Sequence, residues 1–187
     1  MENVKIIILV GMSGAGKSTC VDYLVEKGYP KVYFGGVVVE ETKRRYGGIT
    51  SEKLEKIVRE DLRAKEGNLA IANRIIGQID NLIAAGETRI IADGLYSWSE
   101  YKLFKERFGN NAVIVAVAAN RQFRHDRVAN RPVRPLNEQE ITAREYAEIE
   151  NIEKGGPIAN ADYTITNNLD QKAMLSQLDN VLNIIGW

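Results

Sequence analysis

The sequence predicts an α/β protein, a five-stranded parallel sheet between layers of helices, and three observations carry that expectation. Short apolar runs rich in β-branched residues, such as Ile6 to Val10 and Ala112 to Ala118, alternate with longer charged or amphipathic segments. That alternation is the pattern of right-handed crossovers that build a parallel sheet. The first run stops at Gly11 and opens the loop Gly11-Met12-Ser13-Gly14-Ala15-Gly16-Lys17-Ser18-Thr19, which fits G-x-x-x-x-G-K-[ST] between a strand and a helix. Hydrophobic residues at 44% and charged residues at 27% are ordinary for a globular chain, so disorder is not expected.

Ile6 to Val10 is apolar without alternation, as a strand buried on both faces must be. The helix after the loop runs through Val21 to Lys27 and ends near Gly28, with Pro30 as a stop. Lys31 to Phe34 is a short second strand. Gly35 and Gly36 open a segment whose charged half, Glu40 to Arg45, favours helix over the strand propensity of Val37 to Val39. Ser51 is placed to cap a helix from Glu52 to Ala64, with the acid Glu52 in its first turn. Leu69 to Ala85 is the clearest amphipathic helix, because Ala72, Ile75, Ile76, Ile79, Leu82 and Ile83 fall on one face. Thr88 to Asp93 is a third strand, and Trp98 to Phe108 a helix between Ser97 and Gly109. Ala112 to Ala118 is a fourth strand, and Arg121 to Asn130 a helix that ends before Pro132. Asn137 and Glu140 form a capping pair for a helix expected to run to Lys154, where Gly155 and Gly156 should terminate it. Tyr163 to Thr166 is the fifth strand. Asp170 caps the last helix, whose Met174, Leu178 and Leu182 share a face.

With no internal repeat, linker or low-complexity tract, residues 1–187 are expected to form one domain, long enough for a substantial core. Lys plus Arg and Asp plus Glu are each 25, so the net charge is zero and nothing global draws nucleic acid or an anionic membrane. Any basic site must be local. The single cysteine, Cys20, excludes an internal disulfide or cysteine cluster and is expected as a small buried thiol. The N-terminus lacks a basic leader and no apolar run approaches the ~20 residues that span a bilayer. A cytoplasmic protein is expected.

The loop carries the first chemistry. Glycines at 11, 14 and 16 let successive N–H groups converge on phosphate oxygens at a helix N-terminus. Gly11, Ser13, Gly14, Ala15, Gly16, Lys17, Ser18 and Thr19 are therefore the candidate phosphate-holding residues. Lys17 would reach the β- and γ-phosphates and the Ser18 hydroxyl would ligate Mg²⁺, which are roles for a nucleoside triphosphate, ATP being the expected one. Asp93 ends an apolar strand with a carboxylate, which suits a second Mg²⁺ contact or a water-orienting acid. The other reading is a turn aspartate before Gly94. Mg²⁺ takes few protein ligands, so one hydroxyl and one acid suffice.

Arg121, Arg124, Arg127 and Arg131 are spaced three, three and four residues apart and share a helical face, with Arg134 and His125 nearby. Such a face suits a clamp over transferring phosphates, the alternative being a solvated face paired to acids such as Glu138 and Glu140. His125 has no serine or cysteine motif to serve and is expected at the surface. Tyr96 and Trp98 either stack on a base or pack at the strand-to-helix junction.

On these residues the chain resembles the nucleoside-monophosphate-kinase-like branch of P-loop kinases over nearly its whole length. The resemblance implies a three-layer P-loop kinase fold. Gly11 to Thr19 resembles the family's phosphate loop, and Ile90-Ile91-Ala92-Asp93-Gly94 is similar to the strand that ends Asp-Gly in adenylate kinases. Asp126-Arg127-Val128-Ala129-Asn130-Arg131 resembles the run that opens the adenylate kinase lid. The match implies that Arg127 packs on the donor adenine, that Arg131 contacts phosphate, and that 121–136 is a lid. Ala161-Asp162-Tyr163-Thr164-Ile165-Thr166-Asn167 resembles the Ala-Asp-x-x-Ile-x-Asn strand of dephospho-CoA kinases. The whole order is similar to an archaeal-type group of uncharacterised kinases related to both.

What the resemblance implies is an ATP- and Mg²⁺-dependent kinase with Lys17, Asp93, Arg127 and Arg131 as its catalytic residues. Residues 36–86 would form a helical region binding a nucleotide-like small-molecule acceptor. Where monophosphate kinases have Thr-Gly-Asp leading to an arginine, this chain has Gly35-Gly36-Val37-Val38-Val39. A substitute phosphate contact then falls to Arg44, Arg45, Arg59, Arg63 or Arg74, and a substitute base to Glu40 or Asp93. Dephospho-CoA is favoured slightly over a nucleoside monophosphate, and no nucleic-acid or membrane partner is expected. The second reading, motivated by Gly36 and Val39, is a nucleotide-binding regulatory NTPase without an acceptor.

Overall fold

The computed structural model of the chain describes residues 3–187. Its strands are β1 Lys5–Val10, β2 Lys31–Tyr33, β3 Arg89–Asp93, β4 Ala112–Ala118 and β5 Tyr163–Thr166. They form one five-stranded sheet in the order β2-β3-β1-β4-β5, and every neighbouring pair is parallel. The helices are α1 Lys17–Glu26, α2 Phe34–Arg45, α3 Glu52–Glu66, α4 Ala70–Ala84, α5 Trp98–Phe108, α6 Arg121–Asn130, α7 Glu138–Glu150, α8 Gly155–Ala159 and α9 Gln171–Ile185.

Helices cover both faces of the sheet, and the period-2 geometry of a strand divides the core accordingly. Ile6, Ile8 and Val10 of β1 enter a cluster with Phe34 of α2, Leu62 of α3, Ile75 of α4 and Phe104 of α5. Ile7 and Leu9 enter the opposite cluster with Cys20 and Leu24 of α1 and Met174 and Leu178 of α9. The expected buried thiol is therefore Cys20, whose Sγ lies 3.8 Å from Met174 Sδ; burial pushes its pKa up to about 12. Each fully buried branched side chain adds ~1.5–3 kcal/mol of transfer free energy, so a β1 buried on both sides is a principal source of stability.

Register sets the site. Leu9 pairs with Asp93, and Val10 pairs with Ala116. The loop after β1, the acid ending β3 and the segment after β4 therefore leave the same carboxyl edge, where open parallel sheets bind ligands.

Several expected boundaries shift by one to three residues, and two differences have a cause in packing. The second strand stops at Tyr33 and Phe34 begins α2, because the Tyr33 ring lies across that first turn, where a Cβ on Gly36 would sit 3.1 Å from Tyr33 Cδ1. Glycine there makes room for the ring, and the helix forms despite its weak propensity. The helix expected to reach Lys154 ends at Glu150. Glu153 takes a positive φ of 54°, and Gly155 and Gly156 start α8 instead of terminating α7. Packing explains this, since a Cβ on Gly156 would lie 2.9 Å from Trp98 Cε3. Among the described residues no helix is long and apolar enough to cross a membrane.

Candidate active site

The loop from Gly11 to Gly16 is wedged against three neighbours. Gly11, Gly14 and Gly16 have φ of 144°, 77° and 109°. A Cβ on Gly14 would run into the Arg124 carbonyl of α6, and one on Gly16 into Asn167 Nδ2. The glycines thus serve both the left-handed backbone and the close approach of other chain segments. Gly16 caps α1, so the concave loop opens onto a helix N-terminus.

Asn167 is the strut of this arrangement. Its backbone N–H donates to Ala118 O at 2.7 Å, and its side-chain Nδ2 donates to Ala15 O at 2.8 Å. Arg127 donates to Asn167 O at 2.8 Å and to Gly14 O at 3.4 Å, while Arg124 donates to Ser13 O at 3.4 Å. Upstream in the same strand motif, Asp162 accepts from Ile114 N at 2.7 Å and from Lys105 Nζ at 2.7 Å. The Ala-Asp-x-x-Ile-x-Asn pattern therefore holds β5 to β4 at one end and the loop to the sheet at the other.

Lys17 folds back on the loop, donating to Gly11 O at 2.7 Å and Met12 O at 3.2 Å. Burial is the main cause that lowers its pKa to about 8; Lys154 adds to the shift, while Glu148 and Asp93 oppose it. Asp93 is half-buried, and desolvation raises its carboxyl above the usual range against the pull of Lys17. Ser18 is exposed and Thr19 half-buried at the start of α1. A cation held by Ser18 and Asp93 would have to complete its shell with water and phosphate oxygens, because no group of three or more His, Cys, Asp or Glu could hold a metal among the described residues. That sparse oxygen donor set suits Mg²⁺, and a buried ammonium within a glycine cradle suits a polyphosphate.

The arginine face divides. Arg121 and Arg124 both pair with Glu145, Arg121 at 3.3 Å, and His125 Nε2 lies 3.3 Å from the same carboxylate. Glu145 is 5% exposed; against the effect of its burial, the bonds from Arg124 and His125 hold its pKa below the usual range. His125 is half-buried, not on the surface as its isolation in the sequence suggested, and the acid that pairs with Arg121 and Arg124 is Glu145, whereas the alternative of an acid-paired face had named Glu138 and Glu140. Arg127 sits on the loop. Arg131 lies just past α6 and donates to Arg134 O at 2.7 Å. Tyr96 packs edge-on against Phe34 at 6.0 Å, and Trp98 stacks on Tyr101 at 4.7 Å, so both are engaged in packing.

Three further residues of the site, Arg144, Glu148 and Lys154, were not singled out in the sequence. Lys154 is 4% exposed; its Nζ donates to Glu148 Oε2 at 2.6 Å and lies 5.4 Å from the Tyr96 ring centroid. Arg144 donates to the other oxygen of Glu148 at 3.2 Å. Arg144 and Glu148, spaced i, i+4 on α7, carried a weak signal, but Lys154 reaches them only through the turn that breaks the helix.

A protein-family model described as AAA domain matches residues 7–152. A UPF0200 protein of Thermococcus kodakarensis is 32% identical over 167 residues, which cover 87% of this chain and 88% of that one. A UPF0200/UPF0201 protein of Archaeoglobus fulgidus is 39% identical over 128 residues, 68% of this chain but only 39% of the longer relative. Among solved structures, TT1252 of Thermus thermophilus superposes with a TM-score of 0.68 at 22% identity, covering 97% of both chains. Shikimate kinase of Bacteroides thetaiotaomicron gives 0.59 at 14% identity, covering 98% of this chain and 99% of the other. Dephospho-CoA kinase of Campylobacter jejuni gives 0.55 at 15% identity with 97% of each chain covered. At these identities the structural likeness establishes a P-loop kinase-like fold.

Proposed function

Since the chain belongs to the UPF0200 family and carries the AAA domain in a P-loop kinase-like fold, we propose that it is an ATP- and Mg²⁺-dependent phosphotransferase acting on a nucleotide-like small molecule. The observation that carries this reading is the loop itself: a glycine cradle braced by Asn167, with the Lys17 ammonium on its floor and Asp93 within its field. Phosphoryl transfer asks a protein mainly to position reactants and neutralise charge.

In the reaction, an acceptor oxygen forms a bond to the γ-phosphorus as the bond to the ADP oxygen breaks. The loop N–H groups orient the phosphates. Lys17 leaves its carbonyl partners to meet them, and Lys154 sits behind it as a second buried cation. Ser18 and Asp93 would hold Mg²⁺, which would supply charge neutralisation to the phosphates. For a hydroxyl acceptor the departing proton goes to the Asp93 oxygen left free of the metal, in preference to Glu40, whose side chain is 71% exposed and paired with Lys43 at 2.8 Å. Arg127 and Arg131 stabilise charge on the transferring group. Segment 121–136 acts as a lid over residues 36–86, and Arg134 reaching Glu55 of α3 at 3.4 Å supports that role. Dephospho-CoA leads the nucleoside monophosphates as acceptor, on the Asp162 to Asn167 motif.

The test is an ATP-consumption screen against dephospho-CoA and the nucleoside monophosphates, with Lys17→Ala as control. Acceptor-dependent turnover that disappears in Lys17→Ala is expected. ATP binding with no acceptor response would instead favour a regulatory NTPase.

A further inference from the structure

The open question in the site is what anchors the acceptor where the chain has Val39 in place of an arginine. Five arginines of the 36–86 region stand as candidates, and the structure separates them. Arg44 pairs with Glu41 at 2.7 Å, Arg45 with Glu41 at 2.7 Å and Asp61 at 2.6 Å, and Arg74 with Glu66 at 2.6 Å. The Arg59 and Arg63 side chains, both half-buried, make no hydrogen bond or ion pair among the described residues. They lie one helical turn apart on α3, in a row with Glu55, the residue that Arg134 touches. Two guanidinium groups on adjacent turns repel each other, and half-burial without a partner raises the cost of each charge. Arg63 shows both effects, since burial is the main cause that lowers its pKa and Arg59 adds to it, against attraction from Glu100 and Glu60. Glu100 forms no ion pair with Arg63 among the described residues; its Oε2 accepts the Tyr96 and Ser97 N–H groups at 2.7 and 3.0 Å.

Arg63 also lines a cavity of about 290 Å³ together with Asn68, Ser97, Ser99, Glu150 and Glu153. Ser97 stands four residues beyond Asp93, so this cavity adjoins the carboxyl edge of β3. Arg63 is the one basic residue of this lining, with Arg59 one turn away on α3, while Asn68, Ser97 and Ser99 offer amide and hydroxyl groups and Glu150 and Glu153 two carboxylates.

We infer that Arg59 and Arg63 are the anion anchor of the acceptor, and that the acceptor is a small molecule with an oxyanion at one end and hydroxyl or amino donors beside it. The planar fork of arginine matches an oxyanion bidentately. Donors on the ligand satisfy Glu150 and Glu153, which would repel a second negative group. A ribose phosphate fits this pattern, as does a hydroxylated carboxylate. The inference rests on the kinase reading above for the identity of the crevice but predicts anion binding that does not require turnover.

The test uses full-length protein carrying Trp187→Phe, so that Trp98, next to Ser97, is the remaining tryptophan. With the loop saturated by a non-hydrolysable ATP analogue and Mg²⁺, inorganic phosphate and acetate are titrated by calorimetry and Trp98 emission together. Saturable binding of one anion is expected, phosphate indicating a phosphorylated acceptor and acetate a carboxylate. Arg59→Gln and Arg63→Gln should each weaken it at least tenfold while analogue affinity stays unchanged, and Arg74→Gln should leave both unchanged. Neither residue gives up a hydrogen bond or ion pair among the described residues on substitution, and an unchanged melting temperature with unchanged analogue affinity verifies that each variant is folded. No saturable binding of either anion, or unchanged affinity in both variants, overturns the anchor. If the analogue itself fails to bind, the kinase reading falls, and the anion arm is then read alone in Lys17→Ala protein.

Discussion

The Glu145 carboxylate joins Arg121, Arg124 and His125, and Arg124 and Arg127 in turn hold the carbonyls of Ser13 and Gly14. A single buried acid on α7 therefore decides whether an arginine face repels itself or braces the phosphate loop. Glu145→Gln keeps the shape and removes the charge, leaving two guanidinium groups short of their partner. It should lower unfolding free energy by ~1–3 kcal/mol, the cost of a buried polar group left unsatisfied, read from the urea midpoint at constant slope. A shift under ~0.5 kcal/mol, typical of surface changes, would mean that the face is held by solvent. The spacing of Arg121, Arg124, Arg127 and Arg131 was legible in the sequence, whereas Glu145, some twenty residues away on another helix, was not. Periodicity reports which residues share a face and says nothing of what covers it.

At the scale of elements, α2 and α3 are tied by Arg45, which bridges Glu41 on its own helix and Asp61 on the next. Bonds from Arg44 and Arg45 lower the Glu41 pKa from 4.5 to about 2. A carboxylate depressed in the folded state contributes stability that is complete above its ordinary pKa and is lost as pH falls through its folded one. The contribution of Glu41 should therefore fade between pH 4.5 and about 2. Glu41→Gln should reduce the difference in melting temperature between pH 6 and pH 3, and an unaltered pH profile would remove this tie from the account. The helix boundaries illustrate the same lesson as the arginine face. Ser97 with Glu100 and Asn137 with Glu140 form capping boxes where the residues announce them, because a cap is a local interaction. Gly155 and Gly156 read as terminators yet start α8, and Gly35 and Gly36, expected ahead of a helix, lie inside α2, because the Trp98 and Tyr33 rings need the space.

For the whole molecule, the carboxyl edge of the sheet gathers Gly11 to Ser18, Asp93, α6 and Lys154 of the α7–α8 turn. Nucleotide bound only by the folded state should raise its stability by ~2.7 kcal/mol at a hundredfold excess over Kd, seen as a melting shift with ATP analogue and Mg²⁺ that is absent in Lys17→Ala. An equal shift in that variant would detach Lys17 from the phosphates. What the sequence by itself determined is the α/β class, five strands, the glycine loop between β1 and α1, and the place of Asp93 at the end of β3. Each is written in local order, as a contiguous apolar run or a fixed glycine spacing, and needs no distant partner to be recognised. Tertiary structure alone decided that Asn167 braces Ala15, that Lys154 and Glu148 stand beside Lys17, and which arginines of α2 to α4 are neutralised. Those outcomes depend on burial and on which charges the fold brings within a few ångströms: Arg44, Arg45 and Arg74 form ion pairs, whereas Arg59 and Arg63 form none among the described residues.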